Sequence, residues 1–261
     1  MGLESWTAVK KFQPLRRLFR ALPLDGNPGT ITPHQELIME DYPAGPKYED
    51  RHEAGLLLAE RLLRYKESNA VILAIPNGGV AVAAPMAKRL ACPLHLIVVR
   101  KLQIPDNPEA GFGAVASDGT LLLNDPLVKR LGLSETIIAS QKERALKTIR
   151  ARLGLYGHAA EFPELKGMTA ILVDDGLASG FTMEVAVKMV KSREPKRVVV
   201  AVPTSSMSAY RRISSLVDHL LCPDVSTLPI FAVANAYKVW RDLEDDEVEE
   251  LLITTANKYS N

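Results

Sequence analysis

Short apolar runs that alternate with helical patterns constrain the fold of this chain more than any other feature. Five runs are nearly continuous in apolar and often β-branched side chains, as strands buried on both faces are. The runs are Val71–Ile75, Leu94–Val99, Thr169–Val173, Val198–Val202 and Leu220–Cys222. Helical patterns lie between them, at Val80–Leu90, Ser134–Leu155, Gly180–Lys191 and Ser206–Leu216. This order predicts an α/β fold, a mostly parallel sheet flanked by helices.

Two further elements are predicted from local signals. Asp50 and Glu53 have the spacing of a capping box and predict a helix that runs to about Tyr65. The turn Ser117–Gly119 separates two strand-like segments and predicts a hairpin. The segment Gly111–Ala116 matches the dinucleotide-binding pattern G-x-G-x-x-A, but it precedes this turn rather than a helix, which argues against a Rossmann cofactor site.

Composition excludes several classes of function. The 32 basic and 31 acidic residues nearly cancel, so the whole molecule exerts no strong attraction on nucleic acid or anionic membranes. No run approaches the ~18 apolar residues of a membrane span, and we expect no membrane insertion and no secretory signal. The five histidines lack metal-ligand spacing, and there is no P-loop pattern. Cys92 and Cys222 form no C-x-x-C pair, which favours a cytoplasmic protein.

The chain is predicted to have two parts. Residues 1–47 hold a basic amphipathic segment, Trp6–Leu22, and an irregular connection rich in Gly and Pro. That segment could touch a membrane or an RNA backbone, or lie as a helix on the domain or on a sister subunit with its charges in water. Residues 48–261 are predicted to form the main domain.

One segment carries the chemistry that the sequence predicts. The buried strand that ends at Val173 delivers two adjacent acids, Asp174 and Asp175, to the edge of the sheet where ligands bind. A loop of small and hydroxylated residues follows and leads into a helix, whose first backbone N–H groups can hold a phosphate. Two carboxylates can accept hydrogen bonds from ribose hydroxyls and attract Mg²⁺. Together these features fit a sugar phosphate.

This segment, Ile171–Met183, resembles the signature of type I phosphoribosyltransferases that binds phosphoribosyl diphosphate (PRPP). The resemblance implies that Asp174 and Asp175 hold the ribose hydroxyls and Mg²⁺, directly or through water. It implies that the 5′-phosphate is held by Ala178, Ser179, Gly180, Phe181 and Thr182. Gly176 departs from the aliphatic residue that is commoner at its position, which is expected to alter the shape of the loop.

The resemblance extends over roughly residues 48–250 and is similar to a bacterial and archaeal subgroup of predicted phosphoribosyltransferases. It implies a loop that contacts diphosphate through backbone amides at Asn77, Gly78 and Gly79, where two glycines also precede a helix. It also implies catalytic roles for Arg100 and Lys101, which supply positive charge where diphosphate leaves; the alternative is a solvated loop. We expect Arg100–Gly111 to be a mobile lid, because Pro105 and Pro108 discourage regular structure.

Position 77 departs from similar sequences, which usually carry arginine where this chain has Asn77. Asparagine can donate a hydrogen bond but cannot offset the charge of a leaving group, and charge-assisted bonds are roughly twice as strong as neutral ones. The sequence therefore supports two functions. The first is a phosphoribosyltransferase that uses PRPP and Mg²⁺, transfers ribose 5-phosphate to a nitrogenous base and releases diphosphate. The second is a regulatory protein that binds PRPP or a nucleotide without turnover.

The resemblance also implies that the acceptor base lies under a small hood built from chain termini or inserts. The candidate hood is Pro229–Tyr237, with the N-terminal segment. Phe231 and Tyr237 could stack on a planar ring, or both could be packing aromatics. We expect PRPP and a base as small-molecule partners, no nucleic acid, and a homodimer; the sequence does not identify the base.

Overall fold

The computed structural model describes residues 45–105, 107–156 and 161–256, and it shows a five-stranded parallel sheet. From one edge to the other, its strands are Leu94–Leu96 (β2), Ala70–Ala74 (β1), Thr169–Val173 (β6), Arg197–Ala201 (β7) and His219–Leu221 (β9). The predicted α/β class is confirmed. Of the predicted strands, Leu94–Val99 is corrected, because β2 ends at Leu96 and Val99 begins a strand of a different sheet.

Both faces of the parallel sheet are buried, which explains why its strands are continuous apolar runs. Successive residues of β1, such as Ile72 and Leu73, belong to two different hydrophobic clusters, one on each face of the sheet. The Ile72 cluster includes helices α1 (Arg51–Arg61), α2 (Gly78–Leu90), α4 (Glu135–Leu155) and α7 (Asp245–Ala256). The Leu73 cluster includes helices α5 (Phe181–Lys191) and α6 (Met207–Ser214). The side chains thus follow the period of two that a strand dictates.

Helix boundaries follow the caps in the sequence. Asp50 accepts a hydrogen bond from the backbone N–H of Glu53 at 2.8 Å and begins α1, as predicted. Ser134 caps α4, and Asn124 caps α3 (Asp125–Leu131). The sequence patterns did not identify α3 or α7. Short 3-10 helices at Leu63–Tyr65 and Val233–Ala236 complete the set of helices in the described residues.

A separate antiparallel sheet is formed by β3 (Val99–Ile104), β4 (Asn107–Ala116) and β5 (Leu121–Leu123). The predicted hairpin is confirmed, since Gly113 pairs with Leu123 across β4 and β5. The stretch 100–111, expected to be irregular, instead contributes to the β3–β4 ladder, with a bulge after Leu102. The G-x-G-x-x-A segment lies within β4 and does not open a helix.

The chain after β9 returns to the start of the domain. A two-stranded parallel sheet joins β8 (Thr204–Ser206) to β10 (Asp224–Ser226). The segment that follows pairs with the residues before α1: the backbone N–H groups of Lys47 and Tyr48 donate to the carbonyl of Ala236, both at 2.9 Å. The candidate hood thus contacts the start of the described domain.

Of the predicted N-terminal part, residues 1–47, residues 1–44 lie outside the described residues, so the structure does not test the division at residue 47. Within the described residues, none of the helices is both long and apolar enough to cross a membrane.

Candidate active site

The two acids lie at the carboxyl end of β6, beside the loop that follows β1. The backbone N–H of Ile75 donates to the carbonyl of Val173 at 2.9 Å, which holds the ends of the two strands together. A Cβ atom at Gly78 would lie 1.9 Å from Oδ2 of Asp175, and one at Gly79 would lie 2.8 Å from the carbonyl oxygen of Val173. The two glycines are therefore required for the first loop to approach the acid pair this closely.

Arg51, at the start of α1, neutralises one acid of the pair. Its Nε donates to Oδ2 of Asp175 at 2.9 Å, and its Nη1 donates to the carbonyl of Arg241 at 2.8 Å. The guanidinium lies over the ring of Trp240, 3.8 Å from the ring centroid. Arg51 is 8% exposed, so this cation is part of the interior.

The environment of the pair disfavours two negative charges. Burial, followed by the charge of Asp175, raises the pKa of Asp174 well above its usual range. Burial also raises the pKa of Asp175, although the charge and hydrogen bond of Arg51 oppose that effect. The backbone N–H of Asp175 donates to Oδ1 of Asp174 at 2.9 Å. Such a pair gains from a cation or from hydroxyl donors.

The diphosphate loop predicted at residues 77–79 leads directly into α2. This helix begins at Gly78, and the side chain of Asn77 accepts no hydrogen bond from its first backbone N–H groups. The Asn77 amide has other partners: Nδ2 donates to the carbonyl of Leu243 at 2.5 Å and to Oδ1 of Asp245 at 3.2 Å. Asn77 thus fastens its loop to the segment that begins α7.

Asp245 connects three elements. It accepts hydrogen bonds from Nη2 of Arg152 at 2.7 Å and from the hydroxyl of Tyr156 at 2.9 Å, both at the end of α4, as well as from Asn77. Burial raises the pKa of Asp245, but the bonds from Arg152 and Tyr156 outweigh burial and lower it. The Asp245 hub, meaning this residue with Asn77, Arg152 and Tyr156, joins the diphosphate loop to α4.

The loop that follows the acid pair has the form expected of a phosphate loop. Leu177 pairs with β8 by two backbone hydrogen bonds, to Thr204 at 3.0 Å and from Ser206 at 2.9 Å. Gly180 has φ of +78°, which favours glycine, and precedes α5 without a side-chain cap. Ala178 and Ser179 are exposed, and Phe181 and Thr182 are partly buried. A Cβ at Gly176 would lie 2.6 Å from Val233, so the departure at position 176 admits a residue of the candidate hood.

A cleft of about 730 Å³ lies beside the acid pair and is lined by half of the predicted site residues. Among the predicted site residues, it is lined by Asn77, Gly78, Arg100, Lys101, Asp174, Asp175 and Thr182. Gly79, Ala178, Ser179, Gly180 and Phe181 are not among its lining residues, nor are the two predicted base-stacking aromatics.

Tyr237 occupies a packed position. Its ring is 3% exposed and contacts the rings of Tyr48 and Trp240, with centroid separations of 5.7 and 5.4 Å. Its hydroxyl donates to the carbonyl of Asp175, and burial, with the charge of Asp175 next, raises its pKa. This geometry favours the packing interpretation for Tyr237 over stacking on a base. Phe231 is partly buried, and its stacking role stays a prediction.

Sequence reasoning missed two parts of the site: the partner of Asp175 and a set of residues that line the cleft. Arg51 precedes the acid pair by more than a hundred residues, and only its position behind the capping residue Asp50 placed it on a helix. Gln141, Arg144 and Thr148 of α4 line the cleft. Their spacing of three and four residues places them on one helical face, a signal that was available in the sequence.

The arrangement can bind a bulky anion at one end and ribose hydroxyls beside it. The cations Arg100, Lys101 and Arg144 line the same cleft as two carboxylates, one of which is already bound to Arg51. Neither α2 nor α5 has a side-chain cap from its N-cap residue, and backbone N–H groups at both helix starts can bind phosphate.

Comparison with known proteins shows the family of this chain. Two curated relatives, from Mycobacterium tuberculosis strains CDC 1551 and H37Rv, bear provisional names as phosphoribosyl transferases and are each 34% identical over 205 residues. The match covers 78% of this chain and 46% of each relative, so the chain spans about half the length of the curated relatives it matches. The crystal structure of TT1426 from Thermus thermophilus is 34% identical, with a TM-score of 0.67 over 80% of this chain and 98% of that one. The family model of the phosphoribosyl transferase domain matches residues 49–238, which is more than half of the 261 residues, and the chain therefore belongs to the phosphoribosyltransferase family and has its type I fold.

Proposed function

We propose that this protein is an enzyme that binds PRPP with Mg²⁺ and transfers ribose 5-phosphate to a nitrogenous base, releasing diphosphate. The observation that carries the proposal is the acid pair, Asp174 and Asp175, packed against Gly78 in a cleft that three cations line. Carboxylates suit ribose hydroxyls, while the loop at Gly78 and the cations suit diphosphate. A cytoplasmic location, a role in nucleotide metabolism and a homodimeric state remain predictions.

The donor set is compatible with Mg²⁺. This ion is usually bound by one or two carboxylates together with substrate phosphates and water. Asp174 and Asp175 would provide the carboxylates, and the described residues contain no group of three or more acidic, histidine or cysteine ligands that could form a closed metal site. When bound, Mg²⁺ would supply positive charge near the diphosphate.

The reaction requires positioning and electrostatics rather than a protein nucleophile. The bond between the anomeric carbon and the diphosphate oxygen breaks, and its electron pair leaves with diphosphate. The lone pair of the acceptor nitrogen forms the new bond; an acceptor nitrogen that carries a proton, as in purines and pyrimidines, then loses it to water, whereas a pyridine nitrogen becomes a pyridinium. Asp174 and Asp175 would orient the ribose, and Arg100 and Lys101 would stabilise charge on the leaving group.

The proposal is tested by titrating Mg²⁺·PRPP into the protein in a calorimeter. Asp174→Asn or Asp175→Asn should weaken binding by about tenfold or more, because each removes charge-assisted bonds worth ~1.5–3 kcal/mol. Asp118→Asn is the matched control, since Asp118 lies exposed in the hairpin turn and its bond from the Thr120 N–H can be kept by asparagine. Unchanged affinity in both active-site variants would remove the assignment.

The regulatory alternative has one observation in its favour. The Asn77 amide donates to Leu243 and Asp245, and Asn77 brings no charge to the diphosphate loop. Incubating Mg²⁺·PRPP with purines, pyrimidines and pyridine bases separates the two functions. Diphosphate release with one of these bases supports the enzyme; tight PRPP binding without release by any of them supports the regulator.

A further inference from the structure

Helix α4 presents a polar face to the cleft. Gln141, Arg144 and Thr148 line it, together with the buried Ala145. The hydroxyl of Thr148 donates to the carbonyl of Arg144 at 3.1 Å. Of the three polar residues, Arg144 is the one that carries a charge.

Arg144 differs from the other two arginines of α4. Arg150 pairs with Glu143 at 2.8 Å on the exposed surface, and Arg152 pairs with Asp245 at 2.7 Å. Among the described residues, no acid lies within ion-pair distance of the Arg144 guanidinium. A cation in a cleft without an acidic partner is suited to an anionic ligand.

The position of α4 indicates which part of a ligand Arg144 would meet. The Asp245 hub fastens the end of α4 to Asn77, and Arg144 lies eight residues before Arg152, a rise of ~12 Å along the helix. Helix α4 also packs against β3, the strand that carries Arg100 and Lys101. The packing of α4 on β3 therefore places Arg144 in the cleft on the side of the strand that carries Arg100 and Lys101.

We propose that Arg144 binds the diphosphate group of Mg²⁺·PRPP and supplies, from α4, positive charge that Asn77 does not bring to the diphosphate loop. This inference rests on the proposed function. It assigns to helix α4 a part in ligand binding. It also gives the Asp245 hub a structural role, because the hub fixes the end of α4 against the diphosphate loop, whose missing charge Arg144 would supply.

The test measures binding of inorganic diphosphate with Mg²⁺, and separately of ribose 5-phosphate, by calorimetry. Arg144→Gln should weaken diphosphate binding by about tenfold and leave ribose 5-phosphate binding unchanged. Arg150→Gln is the matched control, because it removes the same charge from the same helix on a surface outside the cleft. Arg144→Lys should retain part of the affinity, since it keeps the charge without the planar fork.

Two outcomes would overturn the inference alone. One is diphosphate binding by Arg144→Gln as tight as by Arg150→Gln. The other is a loss of ribose 5-phosphate affinity equal to the loss of diphosphate affinity. That result would mean that Arg144 acts through its general electrostatic field, or that it contacts another anionic group, such as an anionic acceptor. If the unaltered protein binds neither Mg²⁺·PRPP nor diphosphate, the proposed function fails and the inference fails with it.

Discussion

Arg51 is a buried cation that contacts the acid pair. Its guanidinium is held by Asp175, by the carbonyl of Arg241 and by the face of Trp240. A buried cation with this many partners fixes the orientation of the carboxylate that it binds. Arg51 thus acts as a positioning residue for Asp175.

Removing the Arg51 charge should destabilise the fold. Arg51→Gln leaves Asp175 without its cation in a buried setting, and breaking such a pair from one side typically costs ~3–5 kcal/mol. Arg89→Gln breaks an exposed pair with Glu60 and should cost ~0–1 kcal/mol. Urea denaturation followed by circular dichroism measures both changes. Equal losses for the two variants would contradict the positioning role.

Asp174 should make stability fall as pH rises. Its pKa is raised in the folded state, so between its unfolded value, ~3.9, and the folded value the native state binds more protons than the unfolded state. The free energy of unfolding is therefore reduced as pH rises through the folded pKa. Asp174→Asn removes this contribution and should be more stable than the unaltered protein at pH 7.5, with the difference shrinking towards pH 4.5.

Denaturation at the two pH values checks this expectation, with Asp118→Asn as the reference for an exposed acid. Parallel pH profiles for the unaltered protein and Asp174→Asn would show that Asp174 is not a source of strain in the folded state. A gain in stability together with weaker PRPP binding would identify Asp174 as a group kept for its ligand rather than for the fold.

At the scale of elements, the β3–β4 ladder corrects the expectation of an irregular lid. Pro105 lies between the two strands and Pro108 near the start of β4, positions at which a missing N–H interrupts the ladder least. The prolines therefore lie where β3 ends and β4 begins, and they do not prevent the two strands from pairing. Arg100 and Lys101 reach the cleft from a strand that pairs with Val115 and Ala114.

Ligand-dependent ordering of this ladder stays a prediction. Trypsin should cleave after Arg100 and Lys101 more slowly when PRPP and Mg²⁺ are present, because both cations would then be bound to an anion. Cleavage after Lys129 and Arg130, exposed at the end of α3 outside the cleft, gives the reference rate. An equal effect of PRPP at both places, or no effect at β3, would contradict a lid.

The elements that the sequence predicted best are those with strong local signals. The continuous run Thr169–Val173 and the cap at Asp50 depend on neighbours within a few residues, and both were confirmed. Strand β2 was predicted too long because Ile97 and Val98 are as apolar as a strand but lie in a connection buried between two sheets. Burial, rather than strand pairing, accounts for their hydrophobicity.

At the scale of the whole molecule, the site was predictable where it depends on one loop and hidden where distant segments meet. The acid pair and the glycines of the first loop follow strands, and parallel strands bring their carboxyl ends to one edge. The partners of Asn77 and of Asp175 come from residues more than a hundred positions away, which no local pattern specifies. For Tyr237 the sequence allowed either stacking on a base or packing in the interior. Its packing against Tyr48 and Trp240 includes a contact with the start of the domain, which no local pattern indicates.

The Asp245 hub also bears on how far the domain can be shortened. The family match ends at residue 238, before Leu243 and Asp245. A protein cut at that boundary would keep both acids, both glycines and the phosphate loop. It would nevertheless lose both acceptors of the Asn77 amide, the Arg241 carbonyl that receives Arg51, and the acid that anchors Arg152. We therefore expect the functional limit of this domain to lie at or beyond Asp245, the first residue of α7, outside the residues that the family model matches.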